Sequence, residues 1–137
     1  MVKKYFKKII AQSPQDLQVI SACCEGGKIK MNEIKYLPKN KIFLFLIERV
    51  SREKEKSDEI IKSVVKFEYV ERSKSKNIDH NKIDSYLELV AINLFKNKEN
   101  FEITLLFSNN AIITLTAEIV EVVLEDQNIK NGKNNKI

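Results

Sequence analysis

The sequence is poor in the residue types that common catalytic sites need. Its 137 residues include one His, three Gly and no Trp. None of the glycines lies in a glycine-rich loop, which excludes the phosphate-cradling turns of P-loop and dinucleotide-binding proteins. The sequence also lacks the nucleophile elbow of α/β-hydrolases. We therefore expect a protein that is not an enzyme, with no catalytic residue and no cofactor.

Cysteine is equally scarce, because the chain has only Cys23 and Cys24. Adjacent cysteines seldom form a disulfide, since the bond needs a specific Cα separation. They lack the C-x-x-C spacing of zinc sites and have no His near them in sequence. His80, with Asp79 and Asp84 beside it, matches no metal-ligand spacing either. The sequence therefore predicts two reduced thiols and no metal site.

Long hydrophobic runs are also missing, and none approaches the about 18 residues that a membrane span needs. Residues 1–10 are rich in lysine and too short in apolar sequence for a secretory signal. We expect a cytoplasmic protein without a membrane span. Its length predicts a single domain over residues 1–127, followed by a polar, disordered tail at 128–137.

Positive charge is concentrated in the first part of the chain. The net charge is +5, and residues 1–56 carry 13 basic and 6 acidic side chains. Only three residues of the chain are Arg, whereas proteins that read bases favour Arg for its two-pronged donor geometry. We therefore expect no sequence-specific nucleic-acid binding and a largely solvated basic surface.

One hairpin is the best candidate for a binding surface. Its lysines could meet phosphates electrostatically, or could protect a strand edge against aggregation, which we favour. Tyr36 of this hairpin is expected in the core. An acidic end formed by Glu118, Glu121, Glu125 and Asp126 could neutralise this lysine surface on a partner molecule. The candidate binding residues are Lys28, Lys30, Lys35, Lys39 and Lys41.

A single helix is signalled clearly. Ser13 is a good N-cap, Pro14 suits the first helical position, and Gly26 and Gly27 supply a stop, so the pattern predicts a helix over Pro14–Cys24. Most of the remaining chain alternates as strands do. Turns are indicated at residues 37–40, 97–100 and 109–110, and polar loops at 51–58 and 73–84.

The last apolar segment is ambiguous. Residues 117–126 could form a helical face or a strand after a bulge, and the β-branched residues favour the strand. Seven or eight strands with short links and one helix predict an α+β fold, mainly antiparallel β. The expected form is a curved sheet or partly open barrel with one N-terminal helix, and a pleckstrin-homology-like roll is one such arrangement.

Several segments in order resemble a bacterial family of uncharacterised proteins, the domain of unknown function 2948 family, found mainly in alphaproteobacteria. The likeness spans about residues 5–126 and implies no known activity. Its residues are Ser13-Pro14-Gln15-Asp16-Leu17, Val19-Ile20-Ser21-Ala22, Ile34-Lys35-Tyr36-Leu37-Pro38-Lys39 leading into Phe43, Leu89-Val90-Ala91-Ile92, and Ala111-Ile112 to Leu124-Glu125-Asp126.

Taken together, these observations predict a non-catalytic binding or protein-interaction module with an unknown protein partner. The alternative is a weak, sequence-nonspecific nucleic-acid binder that uses the lysine hairpin. Salt-dependent binding to nucleic acid would favour the alternative.

Overall fold

The computed structural model describes residues 7–51 and 59–127, with only the backbone of Ser51 and Glu59. The predicted loop at 51–58 and tail at 128–137 therefore lie almost wholly outside the described residues. The described elements are β1 (Lys8–Ala11), α1 (Pro14–Cys24), β2 (Lys28–Leu37), β3 (Ile42–Ser51), β4 (Glu59–Phe67), β5 (Val70–Lys76), β6 (Tyr86–Lys96), β7 (Phe101–Phe107), a short 3-10 turn (Ser108–Asn110), β8 (Ile112–Ala117) and β9 (Val122–Asp126).

The helix forms where its local signals place it. The Ser13 hydroxyl accepts a hydrogen bond from the backbone N of Asp16 at 3.1 Å, and Pro14 opens the first turn. Leu17, Ile20 and Cys24 share the buried face, and α1 packs against β6, β1 and β3. Within the described ranges no helix is long and apolar enough to cross a lipid bilayer.

The strands form one antiparallel sheet in the order β1-β9-β4-β3-β2-β6-β7-β8-β5. The order is open, with β1 and β5 at its two ends. The predicted class, α+β and mainly antiparallel β with one N-terminal helix, is confirmed. The pleckstrin-homology-like roll remains a prediction. In the last apolar segment residues 122–126 form β9, so the strand interpretation is confirmed there, whereas residues 118–121 form a link and not the expected bulge.

Two links carry the chain between the halves of this sheet at one corner. Residues 68–69 join β4 to β5, and residues 118–121 join β8 to β9. The links are bonded to each other, because Glu118 N donates to Tyr69 O at 3.1 Å and Glu68 N to Glu121 O at 3.0 Å. The β3/β4 half and the β7/β8 half therefore share a single apolar core.

A buried ion pair links the strands of the first half, the β3/β4 half, at the end opposite the corner. Arg49 is 2% exposed and Asp126 is 8% exposed. Arg49 Nη2 donates to Asp126 Oδ1 at 3.0 Å, and Arg49 Nε donates to Ser63 Oγ at 3.0 Å. The Ser63 hydroxyl and the backbone N of Lys7 also donate to Asp126, at 2.7 and 2.9 Å. This network links β3, β4 and β9 to the residue before β1.

The position of Asp126 corrects the sequence interpretation of the acidic end. Asp126 was expected on a surface that meets a partner, yet its carboxylate is enclosed and bonded within the chain. Glu118 and Glu125 are exposed and Glu121 is half-buried. The Arg49 guanidinium beside Asp126 compensates its buried charge, and Asp126 does the same for Arg49.

Cys24 lies in the same core. Burial, assisted by the neighbouring Cys23 and Asp126 and opposed by Arg49, raises the pKa of its thiol to about 12. Because the thiolate is the reactive form, Cys24 is chemically inert at neutral pH. Cys23 is half-buried, and both cysteines are free thiols.

Removal of one member of the buried ion pair should be far more damaging than replacement of both. Asp126→Ala leaves the Arg49 charge uncompensated and should lower the free energy of unfolding by about 3–5 kcal/mol. The double variant Arg49→Met/Asp126→Leu should recover only part of this loss, because the Ser63 hydroxyl and the Lys7 backbone N still lose their acceptor. Urea unfolding measures all three proteins. A loss below about 1 kcal/mol for the single variant would show that water reaches the Arg49 guanidinium.

The two thiols should react very differently. At pH 8 the Cys24 thiol of Cys23→Ser should react with Ellman's reagent at least ~1000-fold more slowly than an ordinary thiol, because so little thiolate is present. Cys24→Ser retains Cys23 and serves as the matched control. Urea should make Cys24 react at an ordinary rate. Rapid reaction of Cys24 in the native protein would contradict its enclosed position.

Candidate functional site

A concave groove lies between β2 and β5 in the described part of the chain. It encloses a cavity of about 270 Å³, close to the lower end of the roughly 300–1,000 Å³ typical of ligand sites. Its walls are largely apolar, with three polar side chains at one end. The lining residues are Met31, Ile34, Tyr36, Phe43, Ser73, Ser75, Ile78, His80 and Ile113.

An irregularity in β2 opens this groove. Ile29 lies opposite Ile47 of β3, but the next paired residue of β2 is Ile34, opposite Phe45. Three extra residues of β2 are therefore accommodated between these two pairs. Met31 N and Asn32 N turn to the segment before β6, donating to Ser85 O at 2.9 Å and Ile83 O at 3.1 Å. The bulge interrupts the regular ladder between β2 and β3. It leaves apolar side chains accessible on the side of the core that faces β5.

The polar end of the groove is organised by a serine–histidine contact. Ser75 Oγ and His80 Nε2 are 2.8 Å apart, which is hydrogen-bond distance. Asp79, the nearest acid in sequence, accepts a hydrogen bond from the backbone N of Asn81 at 3.0 Å. In the described residues no carboxylate is hydrogen-bonded to His80, so the contact lacks the orienting third member of a catalytic triad. The contact fixes the loop after β5 against that strand.

No group of three or more metal-ligating side chains is brought together within residues 7–51 and 59–127. The flanking acids Asp79 and Asp84 are both exposed. The groove offers hydroxyl and imidazole groups beside apolar side chains. Such a surface can hold an apolar group and donate or accept a small number of hydrogen bonds.

The edge of β5 that faces the groove is closed at one end and open beyond it. At the closed end Val70 N donates to Lys41 O at 2.8 Å, and the Tyr36 hydroxyl donates to Val70 O at 3.1 Å. From residue 72 to residue 76 the only described strand that pairs with β5 is β8. A row of backbone N–H and C=O groups is therefore available beside the cavity.

The five candidate lysines differ in exposure and in their neighbours. Lys28, Lys35, Lys39 and Lys41 are exposed and Lys30 is half-buried. Lys28 lies opposite Glu48 of β3, and Lys41 Nζ donates to Glu71 Oε2 at 3.4 Å. Lys35 Nζ donates to Asn32 O at 3.4 Å. Acidic neighbours thus offset part of the positive charge of this hairpin.

A carboxyl pair at the corner contributes to that offset. The side chains of Glu71 and Glu118 are hydrogen-bonded, which lowers the pKa of Glu71 and raises the pKa of Glu118. Lys41 adds to the lowering at Glu71 and opposes the increase at Glu118. Both carboxyl groups are on the surface. The pair is therefore a surface feature of the corner and does not form a buried site.

Two other depressions are less suited to binding. One lies at the start of α1 beside Phe101, Ile119 and Val120. The other lies on the outer face of β1, β9 and β4 around Ile10, Val64 and Val123. The second spans three strands that pair with one another, whereas the groove lies between β2 and β5, which do not pair in the described residues.

The sequence analysis missed the strand that forms this edge. Residues 73–84 were expected to be a polar loop, but residues 73–76 belong to β5. The prediction was wrong because β5 has no apolar face beyond Val70. The signal that was present is a period of two, in which the long basic residues Arg72, Lys74 and Lys76 alternate with Ser73 and Ser75.

Comparison with curated proteins and with solved structures finds no match. A family model does match residues 7–136, which is nearly the whole chain, and its description is a protein of unknown function, DUF2948. The match spans the helix, the β2 bulge, both walls of the groove and the ion-paired end of β9. The resemblance noted in the sequence is therefore confirmed, and the chain belongs to the DUF2948 family of proteins of unknown function.

Proposed function

We propose that this chain is a non-catalytic, cytoplasmic binding module that takes an extended peptide segment of a partner protein. The segment adds as a strand to the open edge of β5. The observation that carries the proposal is the coincidence of that edge with the groove. Backbone groups of β5 would supply the hydrogen bonds of a strand pair, and the cavity would receive side chains.

The dimensions support a short ligand. Residues 72–76 of β5 offer five residues of edge, or about 16 Å at roughly 3.3 Å per residue. In an added strand every second side chain points to the same face. One or two side chains would therefore enter the cavity of about 270 Å³. Strand pairing supplies affinity, and the fit of these side chains supplies selectivity.

The polar end favours binding over catalysis. Ser75 and His80 are bonded to each other, and Asp79 is engaged with Asn81. A nucleophile of this kind would need its base oriented by a further group. In a binding site the same contact keeps the loop after β5 in place and leaves a hydrogen-bonding group beside the ligand backbone.

A second function rests on the exposed lysines of the β2–β3 hairpin. Lys28, Lys35 and Lys39 are exposed and could contact phosphates without sequence preference. The nearby acids Glu48 and Glu71 weaken this proposal. Fluorescence anisotropy with random RNA and DNA oligonucleotides at physiological salt distinguishes the two functions. Tight binding under these conditions would favour nucleic acid over a peptide as the ligand.

The groove should select peptides from a random display library. Enriched peptides should slow hydrogen exchange at the β5 amides, because these amides would gain partners. Ser75→Tyr fills the cavity from an exposed position and should weaken binding about tenfold or more. Thr114→Tyr is the matched control, since Thr114 is half-buried on the outer face of the neighbouring strand, and it should leave the affinity unchanged.

Two results would contradict the proposal. The first is a library that yields no peptide protecting β5. The second is a selected peptide whose affinity is the same for the native protein and for Ser75→Tyr. Melting curves of both tyrosine variants establish that each remains folded.

A further inference from the structure

The two faces of β5 differ in chemistry. Ser73 and Ser75 line the cavity, so the alternation of a strand places Lys74 and Lys76 on the opposite face. Both lysines are exposed. Arg72 begins this row next to the closed end, where Glu71 lies beside it. The open end of the edge therefore presents positive charge on its outer face.

The strand that pairs with β5 provides no counter-charge for this row. Lys74 lies opposite Thr114, and Lys76 lies opposite Ile112. In the next strand the corresponding residues are Thr104 and Leu106. No ion pair of Lys74 or Lys76 is formed within the described residues. The open edge of β5 is the side from which a ligand could bring opposite charge to this row.

Cross-strand pairing would make this row of basic side chains select the charge of an added strand. Side chains directly opposite each other in antiparallel strands have Cβ atoms about 4.5–5.5 Å apart, where opposite charges attract and like charges repel. A second copy of this chain is disfavoured as the occupant, because pairing two β5 edges would bring lysines close to lysines. An added strand with Glu or Asp on its outer face is favoured.

The inner face of the same strand meets different partners. The cavity walls next to β5 are formed by Met31, Ile34, Ile78 and Ile113. An apolar side chain entering there would lose its contact with water. On the basis of the proposed function, we infer that the ligand is an extended peptide in which acidic and apolar residues alternate, with acids opposite Lys74 and Lys76 and apolar side chains in the cavity.

Synthetic peptides provide the test. A fluorescent peptide alternating Glu with Val should bind about tenfold more tightly than one alternating Lys with Val, given two cross-strand charge pairs. The Glu–Val peptide should also bind more tightly than a Glu–Ser peptide, which lacks apolar side chains. The preference for the Glu–Val peptide over the Lys–Val peptide should decrease as the salt concentration rises.

Charge reversal on β5 sharpens the test. Lys74→Glu/Lys76→Glu should invert the preference, so that the Lys–Val peptide binds more tightly than the Glu–Val peptide. Lys62→Glu/Lys98→Glu makes the same change in net charge at two exposed positions outside both proposed surfaces, and it should retain the original preference. Circular dichroism melting of both double variants verifies their folding.

The possible failures are distinguishable. If all three peptides bind equally and Ser75→Tyr weakens each of them, the acidic ligand is wrong and the peptide groove stands. If neither these peptides nor library-selected ones bind, the proposed function fails and the inference with it. If random RNA binds more tightly than the Glu–Val peptide at physiological salt and Lys74→Glu/Lys76→Glu removes that binding, the ligand of this edge is nucleic acid.

Discussion

The two links at the corner, residues 68–69 and 118–121, hold the two halves of the sheet together. They are bonded to each other through Glu118 N to Tyr69 O and Glu68 N to Glu121 O. Because β4 passes into β5 within two residues, the last strand of the sheet lies close to the first half. That proximity encloses the core, and it brings β5 beside the bulge of β2. The groove follows directly from the crossing.

Opposite ends of the first half are secured by different physical means. At the corner the chain relies on backbone hydrogen bonds and on the Tyr36 hydroxyl. At the far end it relies on Arg49, Ser63 and Asp126, whose polar groups satisfy one another in a buried setting. A buried network of this kind is favourable only when its members are hydrogen-bonded. The region between the two anchors is apolar.

Features with local causes were predictable from the sequence, whereas features created by distant partners were not. Ser13 and Pro14 specify the helix start, and Asn109, with φ of 64°, takes the left-handed turn expected of it. The strand β5 was missed because its pairing with β8 is long-range and its residues are polar. The burial of Arg49 was missed for a similar reason, since its partner Asp126 lies 77 residues further along the chain.

The bulge in β2 separates the shape of the groove wall from the register of the strands, which would be coupled in a regular sheet. The pairing of β2 with β3 resumes at Ile34 opposite Phe45, so the extra residues do not disturb the ladder beyond them. Met31 and Ile34 nevertheless form part of the groove wall. A change of length in residues 31–33 would reshape that wall and leave the β2–β3 and β2–β6 pairs in register. The fold thus has a segment through which ligand preference could diverge during evolution independently of the stability of its framework.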